Sequence, residues 1–311
     1  MKITLRQLHY FRALAETRSF GRAAALVNVS QPAMSMQIKE LEAILGTALI
    51  ERSPRDLRLT QAGRSVLERA DRILAEAMEL EADARHARGL GELNIGMIPT
   101  VAPYLLPGTL AALRAADITR DLRLREAQTA DLLDGLRGGL LDAVVLADPA
   151  PAPDLIAQSL FTDRFVLAGS PSRLSTLGAS PEALRPVGLP PEQLLLLDEG
   201  HCLADQALEV CALDRRQTRL DLGASSLSTL CGLVAQGFGL TFLPEIALAT
   251  ETRGTPDLAL RRFDAPEPAR CVTLVRRSGT AQSDWFAELA EHIEQAAHAQ
   301  IAQAEKIAPR T

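Results

Sequence analysis

Four cysteines, Cys202, Cys211, Cys231 and Cys271, are the residues of this chain best suited to chemistry. A thiolate attacks peroxides and disulfides and also binds soft metals. No C-x-x-C pair occurs, and the five histidines (His9, His86, His201, His292, His298) are scattered, so no metal site is expected. Cys231 falls in an apolar helical stretch, and Cys271 opens the strand-like run Val272-Thr273-Leu274-Val275. Both read as small buried hydrophobes. Cys202 differs. It follows the strand-like run Gln193 to Leu197 and Gly200, where a helix should begin. A helix N-terminus favours a thiolate, whereas the neighbouring Asp198, Glu199 and Asp205 oppose it, which leaves the ionisation of Cys202 open. Residues 203–210 are good helix formers without Gly or Pro. A helix reaching Cys211 would hold the two cysteines roughly 13 Å apart along its axis. A disulfide needs Cα atoms within about 7 Å. Joining the pair therefore requires this segment to unwind, which would make it a covalent switch rather than a staple.

The elements around these residues read as alternating strands and helices. Leu93 to Ile98 is a strand followed by a Pro99-Thr100 loop, and Tyr104 to Ala116 is a helix. Leu122 to Ala127 is a strand leading to Thr129 and a helix through Leu136, and Asp142 to Leu146 is a third strand. Phe165 to Ala168, Gln193 to Leu197 and Leu240 to Pro244 repeat the pattern. Such alternation predicts a parallel sheet with ligand loops at the carboxyl ends of its strands, where Thr100 and Thr129 both fall. Each threonine taken alone fits equally well as a helix cap.

The first 63 residues have another character. Leu5, Leu8, Phe11 and Ala15 recur at helical spacing, and Ser19 can cap a second helix from Phe20 to Leu26. Asn28-Val29-Ser30 forms a tight turn, with Ser30 capping a third helix that opens on Gln31-Pro32 and ends near Gly46. Leu49 to Arg52 and Leu57 to Thr60 flank Ser53 to Asp56 as a hairpin wing. This is a helix-turn-helix whose third helix begins with residues able to bond base edges or phosphates. Residues 1–65 hold ten Lys/Arg against five acids, a local +5 that leaves −11 for the rest of a chain with net charge −6. A basic head on an acidic body confines attraction for a polyanion to the head. Ser30, Gln31, Pro32, Ser35 and Gln37, with Arg22, Lys39, Arg52 and Arg55, are the expected contacts with double-stranded DNA.

Between head and body, Val66, Ala70, Ile73, Ala77, Leu80, Ala84 and Ala87 keep a heptad spacing that stops at Gly89 and Gly91. Val66, Ala70, Ile73, Ala77 and Leu80 are the expected dimer seam, which would pair two heads over a palindrome-like site.

At 311 residues, 47% apolar and 23% charged, the chain is long enough for two domains and is neither disordered nor fibrous. The start, MKITLRQLHYFRAL, carries charge throughout and is no secretory signal. The apolar region Leu230 to Leu243 is interrupted by Gln236, Gly237 and Gly239 and falls short of the ~20 residues of a membrane helix. A cytoplasmic protein without membrane contact is expected. Phosphate-binding G-x-x-x-x-G-K-[ST], G-x-S-x-G and H-E-x-x-H signatures are missing, so neither an enzyme nor a cofactor is expected.

Dense motifs identify the chain as similar to the LysR-type transcriptional regulators. In the head they are Ser19-Phe20, Ala23-Ala24, Val29-Ser30-Gln31-Pro32, Ser35, Ile38, Leu41-Glu42, Leu45-Gly46, Leu49, Arg52 and Leu59 to Gly63. In the body they include Val234 to Leu240. The resemblance implies an α/β protein with an N-terminal winged helix-turn-helix (1–63), a linker and dimerisation helix (64–89) and a two-lobed periplasmic-binding-protein-like effector domain (90–298). Lobe I would take about 90–164 and 269–298, lobe II about 165–268, and 299–311 would be a tail. Ile98 to Val101, Pro103 to Pro107, Glu126 to Thr129, Gly200 to Leu203, Asp205 to Ala207 and Cys211 further resemble the hydrogen-peroxide-sensing activators of that family. That resemblance implies Cys202 as the peroxidatic and Cys211 as the resolving cysteine. It also implies that Thr100, Thr129 and His201 help to place peroxide, that Asp205 assists resolution, and that Arg270 lies near the sulfur. A dimer of dimers and RNA polymerase are the implied macromolecular partners. Glu209-Val210 before Cys211 and Ala212 to Arg216 after it depart from the pattern and bear on the rate and lifetime of a disulfide. Two alternatives compete. One is a LysR-type regulator whose Thr100 and Thr129 grip a small organic acid between the lobes. The other is a thiol peroxidase, for which the head would be superfluous.

Overall fold

The computed structural model describes residues 2–52, 57–86, 93–115, 122–177, 184–214, 220–278 and 284–310. It divides into two compact units, Met1–Leu90 with Arg137–Gly139, and Gly91–Leu136 with Leu140–Thr311.

The head contains α1 (Leu5–Thr17), α2 (Phe20–Leu26), α3 (Gln31–Leu45), the strands β1 (Ile50–Arg52) and β2 (Leu57–Leu59), and the long α4 (Gln61–His86). Local chemistry sets each boundary. Thr4 and Gln7 form a reciprocal capping box on α1, and Arg18 closes it in the left-handed region at φ 50°. Ser19 and Ser30 accept the Arg22 and Ala33 N–H groups at the starts of α2 and α3. Asn28 supplies the left-handed turn between those helices at φ 54°. Phe11, Leu14, Met34, Ile38, Leu41 and Leu49 are completely buried and form the centre of the head. Glu42 Oε1 accepts the N–H groups of Leu49 (2.8 Å) and Ile50 (3.3 Å), which fixes the wing to the end of α3. β1 and β2 pair antiparallel as the expected hairpin. Its tip, including Arg55, lies outside the described residues.

α4 differs from the expected seam in one respect. Val66 and Ala70 pack with Leu67 and Leu74 into the head's own core, and Ala70 is buried. The first turns of α4 must cover that core, so the 66/70 spacing belongs to the head. Ile73 (49% exposed) and Leu80 (72% exposed) stay outside that core, with Ala77 half-buried.

The body runs β3 (Leu93–Met97), α5 (Ala102–Ala115), β4 (Leu122–Glu126), α6 (Thr129–Arg137), β5 (Ala143–Ala147), β6 (Leu155–Gly169) and α7 (Pro171–Leu177). It continues with β7 (Leu195–Leu197), α8 (Cys202–Cys211), β8 (Leu220–Ala224), α9 (Leu227–Ala235), β9 (Leu240–Pro244) and α10 (Leu248–Gly254). β10 (Ala259–Arg262), β11 (Ala269–Arg277) and α11 (Asp284–Ile307) complete it. The seven-stranded sheet has the order β10-β6-β11-β5-β3-β4, with β9 also on β6, and β7 pairs β8 separately. β4-β3-β5 and β7-β8 run parallel, whereas β11 runs antiparallel to β5 and β6, as do β9 and β10 to β6. The sheet is therefore mixed, not parallel as the alternation predicts. The reason is that β6 starts ten residues before the apolar run at Phe165 and β11 returns beside it.

β6 exchanges partners along its length, lying against β11 up to Arg164 and against β9 and β10 beyond it. That exchange gives the body two lobes. α11 continues through residues 299–307, which were expected as a tail. Ala297, Ala304 and Ala308 are buried, Arg262 Nε donates to Ala308 O (2.6 Å), and Arg310 pairs with buried Glu245 (3.3 Å). The run IAQAEKI contains only helix-compatible residues and nothing to stop the helix. Among the described residues no helix is long and apolar enough to cross a membrane.

Candidate functional site

Cys202 is the first residue of α8, directly after the turn from β7, as the strand-glycine-helix reading predicts. Gly200 makes the turn possible: its φ is +90°, and a Cβ there would run into the Gln128 side chain. Gln128 Nε2 in turn donates to Glu199 O (3.2 Å), tying the loop after β4 to the loop before α8. Thr100 follows β3, and Thr129 opens α6 after β4, so carboxyl ends of parallel strands deliver both hydroxyls, as expected. Ile98, Pro99, Thr100, Gln128, Thr129, Gly200, His201 and Cys202 enclose a narrow pocket with no free room for a water-sized molecule in this conformation. It is far too small for an organic ligand, whose sites begin at roughly 300 Å³.

Beneath the pocket lies Arg270, whose side chain is completely buried. Its Nε donates to Asp163 Oδ2 (3.0 Å), Nη1 to Thr100 Oγ1 (2.8 Å) and Nη2 to the Thr100 carbonyl (3.0 Å). Asp163 faces Arg270 across the β6–β11 register, and its Oδ1 accepts the Ile246 N–H (3.2 Å). This carboxylate was not among the residues singled out. Its signal was an acid inside the apolar run Leu160 to Ala168, where an unpaired charge would be costly.

The electrostatics of Cys202 combine opposing causes. Burial pushes its thiol above the ordinary range, while the Arg270 charge, the Thr129 hydroxyl and the Leu203 N–H pull it down and Asp205 raises it slightly. Burial wins over the helix terminus, and the net direction is upward. Thr129 Oγ1 is buried without a well-formed hydrogen bond, yet close enough to the sulfur to favour its charged form. His201 is buried at the N-cap of α8, with Nδ1 unpartnered. Asp205 is exposed on the first turn of α8.

Cys211 closes α8 at the other end, buried, and burial pushes its thiol up to about 12. All four cysteines are free. Ten helical residues from Cys202 to Cys211 set the pair roughly 13 Å apart along the axis, too far to bond. The buried face of α8 is apolar (Leu203, Ala204, Ala207, Leu208, Cys211), and Ala212 ends the helix in the left-handed region at φ 54°. Cys231 is buried in α9, as expected, whereas Cys271 is only partly buried and lies 2.7 Å from Ser159 Oγ.

A wider cleft of about 140 Å³ adjoins the site, lined by Thr100, Tyr104, Glu126, His201, Ser228 and Glu251 among others. Among the described residues two carboxylates and no Arg or Lys line it, which disfavours the organic acid of the alternative reading.

In the head, Ser30, Gln31, Pro32 and Lys39 are exposed and Ser35 and Gln37 half-buried along α3. Arg22 is exposed and donates to Thr17 O (2.6 Å), Gln37 bonds Glu40 (3.1 Å), and Arg52 belongs to β1.

Comparison with known proteins extends this picture. Residues 5–64 match the model of the bacterial regulatory helix-turn-helix proteins of the lysR family, and residues 86–298 match the LysR substrate binding domain. A curated relative from Streptomyces viridosporus, described as a probable hydrogen peroxide-inducible genes activator, is 42% identical over 296 residues, covering 94% of each chain. Among solved structures, a full-length cysteine-to-aspartate variant of OxyR from Pseudomonas aeruginosa is similar with a TM-score of 0.67 and 32% identity, covering 94% of this chain and 95% of that one. A mutant of OxyR from Corynebacterium glutamicum with H2O2 bound is similar with a TM-score of 0.63 and 32% identity, covering 99% of this chain and 97% of that one.

Proposed function

Because the chain belongs to the LysR family of bacterial helix-turn-helix regulators, we propose that it is a DNA-binding transcriptional regulator that senses hydrogen peroxide through Cys202 and Cys211. The observation that carries this reading is the site itself. One cysteine opens α8 in a narrow pocket beside Thr100, Thr129 and His201, and a second closes the same helix out of bonding range. The peroxide-inducible relative and the peroxide-bound neighbour support it.

The chemistry follows from those positions. The narrow pocket widens locally to admit peroxide, which the Thr100 and Thr129 hydroxyls and His201 orient. The Cys202 sulfur attacks one oxygen, the O–O bond breaks, and the departing hydroxide takes up the thiol proton as water, leaving a sulfenic acid. α8 unwinds, Cys211 attacks the Cys202 sulfur, and the S–O bond breaks. A second water leaves with the Cys211 proton, and the disulfide forms. Two thiols and one peroxide thus give one disulfide and two waters. Arg270 acts from behind: its charge steadies the anionic sulfur and its Nη1 fixes the Thr100 hydroxyl. Asp205, exposed on the first turn, assists resolution by leaving that turn with the unwinding segment.

In this reading residues 1–63 contact DNA through Arg22, Ser30, Gln31, Pro32, Ser35, Gln37, Lys39, Arg52 and Arg55. α4 pairs two chains through Ile73, Ala77 and Leu80. Refolding of α8 changes how effector domains pack and so re-spaces the heads of a dimer of dimers on DNA, with RNA polymerase as the downstream partner. Peroxide titration with thiol trapping and peptide mapping tests the proposal. A Cys202–Cys211 disulfide after micromolar peroxide is the expected result. Reduced thiols at both positions overturn it.

A further inference from the structure

We infer that Asp148 is a positioning residue for the redox step: by holding Gln206 it keeps α8 wound and the two sulfurs apart, and so sets how readily the disulfide forms. The inference rests on the Cys202–Cys211 reading above. Asp148 follows β5 in the first lobe, in the left-handed region at φ 45°, a conformation that aspartate tolerates better than most residues. It is fixed there by β11. Its N–H donates to Cys271 O (2.9 Å), and its Oδ1 accepts the Cys271 N–H (2.9 Å). The remaining oxygen, Oδ2, accepts Nε2 of Gln206 at 2.9 Å.

Gln206 lies in the middle of α8, within the segment that the disulfide would close. Its Oε1 is buried without a hydrogen-bond partner among the described residues, and the bond to Asp148 orients the amide. On the opposite face of α8 the contacts are apolar and non-directional. Bringing Cα atoms from roughly 13 Å to within about 7 Å removes the helical geometry on which the 2.9 Å bond depends. An interaction made in the dithiol form and lost in the disulfide form favours the dithiol form.

The test equilibrates the full-length protein with glutathione buffers. One oxidised glutathione converts the two protein thiols to the disulfide and leaves as two reduced glutathiones, a transfer of two electrons and two protons. A hydrogen bond to a carboxylate at a partly exposed site is worth about fivefold in such an equilibrium, or about 20 mV at the ~30 mV per tenfold of a two-electron couple. Gln206→Ala and Asp148→Ala are each expected to shift the equilibrium toward the disulfide by about that factor. Both should also speed conversion of sulfenate to disulfide. Sulfenate formation, measured with Cys211→Ala in the background, should not change. Alanine is the better helix former, so on helix propensity alone Gln206→Ala would shift the equilibrium the other way. Asp148→Asn has one acceptor for the two donors, Cys271 N–H and Gln206 Nε2, and is expected to fall between the parent and Asp148→Ala. The double variant should shift no further than either single one. Unshifted potentials in both single variants, or fully additive shifts in the double variant, overturn the tether. A parent protein that never forms this disulfide overturns the functional reading as well.

Discussion

Replacing Thr129 with valine separates the two roles this hydroxyl could have in the pocket. Valine keeps the volume and branching of threonine, so the walls of the pocket should hold their shape. What is lost is one hydroxyl beside the Cys202 sulfur, a group that favours the thiolate. A hydrogen bond to a charged group contributes about 1.5–3 kcal/mol, and one pKa unit corresponds to about 1.4 kcal/mol. The Cys202 thiol, already raised by burial, should therefore rise further. At neutral pH the thiolate fraction and the peroxide rate constant should fall by about tenfold or more. The assay is the pH dependence of alkylation at Cys202, read by peptide mass spectrometry, alongside the rate of sulfenate formation with Cys211→Ala in both proteins. Thr129→Ser, which keeps the hydroxyl, should stay near the parent. An unchanged thiol pKa together with an unchanged peroxide rate in Thr129→Val would refute the reasoning.

Three further outcomes follow from other parts of the structure. Burial holds Cys211 as a neutral thiol with its pKa pushed up to about 12. Its contribution to the stability of the reduced protein is full below the ordinary thiol range near 8.5 and is lost as pH rises toward 12, because the unfolded chain ionises first. The gap in urea midpoint between parent and Cys211→Ala should accordingly be narrower at about pH 10 than at about pH 7, and a constant gap would contradict this. Lys39→Ala, on the exposed face of α3, should weaken DNA binding similarly across sequences and reduce the salt slope by about 1, measured by titration at several salt concentrations. Leu80→Asp, at a position 72% exposed on α4, should weaken dimerisation by at least roughly tenfold in sedimentation without lowering the melting temperature of the head.

The legible parts of this fold were those that local chemistry dictates. Ser19, Asn28, Ser30, Pro32 and Gly46 punctuate the head, and the structure starts and stops helices at each of them. Cys202 opens its helix for the same reason: a glycine with φ +90° marks the turn before it. Features set by partners distant in sequence were less legible. Residues 155–164 look mixed, because their strand alternates between the two faces of the sheet and carries Asp163 inward to meet Arg270, 107 residues away. The 66/70 spacing fits a coiled coil and a helix covering its own domain equally well, and only the core of the head decides between them. The end of α11 lacked contrast: an alanine- and glutamine-rich run reads as a tail until Ala304 and Ala308 are seen buried and Arg310 paired. The ionisation of Cys202 depends on burial and on Arg270 together, and neither is written near the cysteine in the chain.

The central claim is that α8 is a helix whose winding keeps two sulfurs apart and whose loss lets them bond. Amide hydrogen exchange across residues 202–211, followed by mass spectrometry before and after a stoichiometric addition of peroxide, tests this most directly. The account predicts protected amides in the reduced protein and loss of that protection on oxidation, in step with formation of the Cys202–Cys211 bond. A disulfide that forms while the protection of those amides stays intact would contradict it.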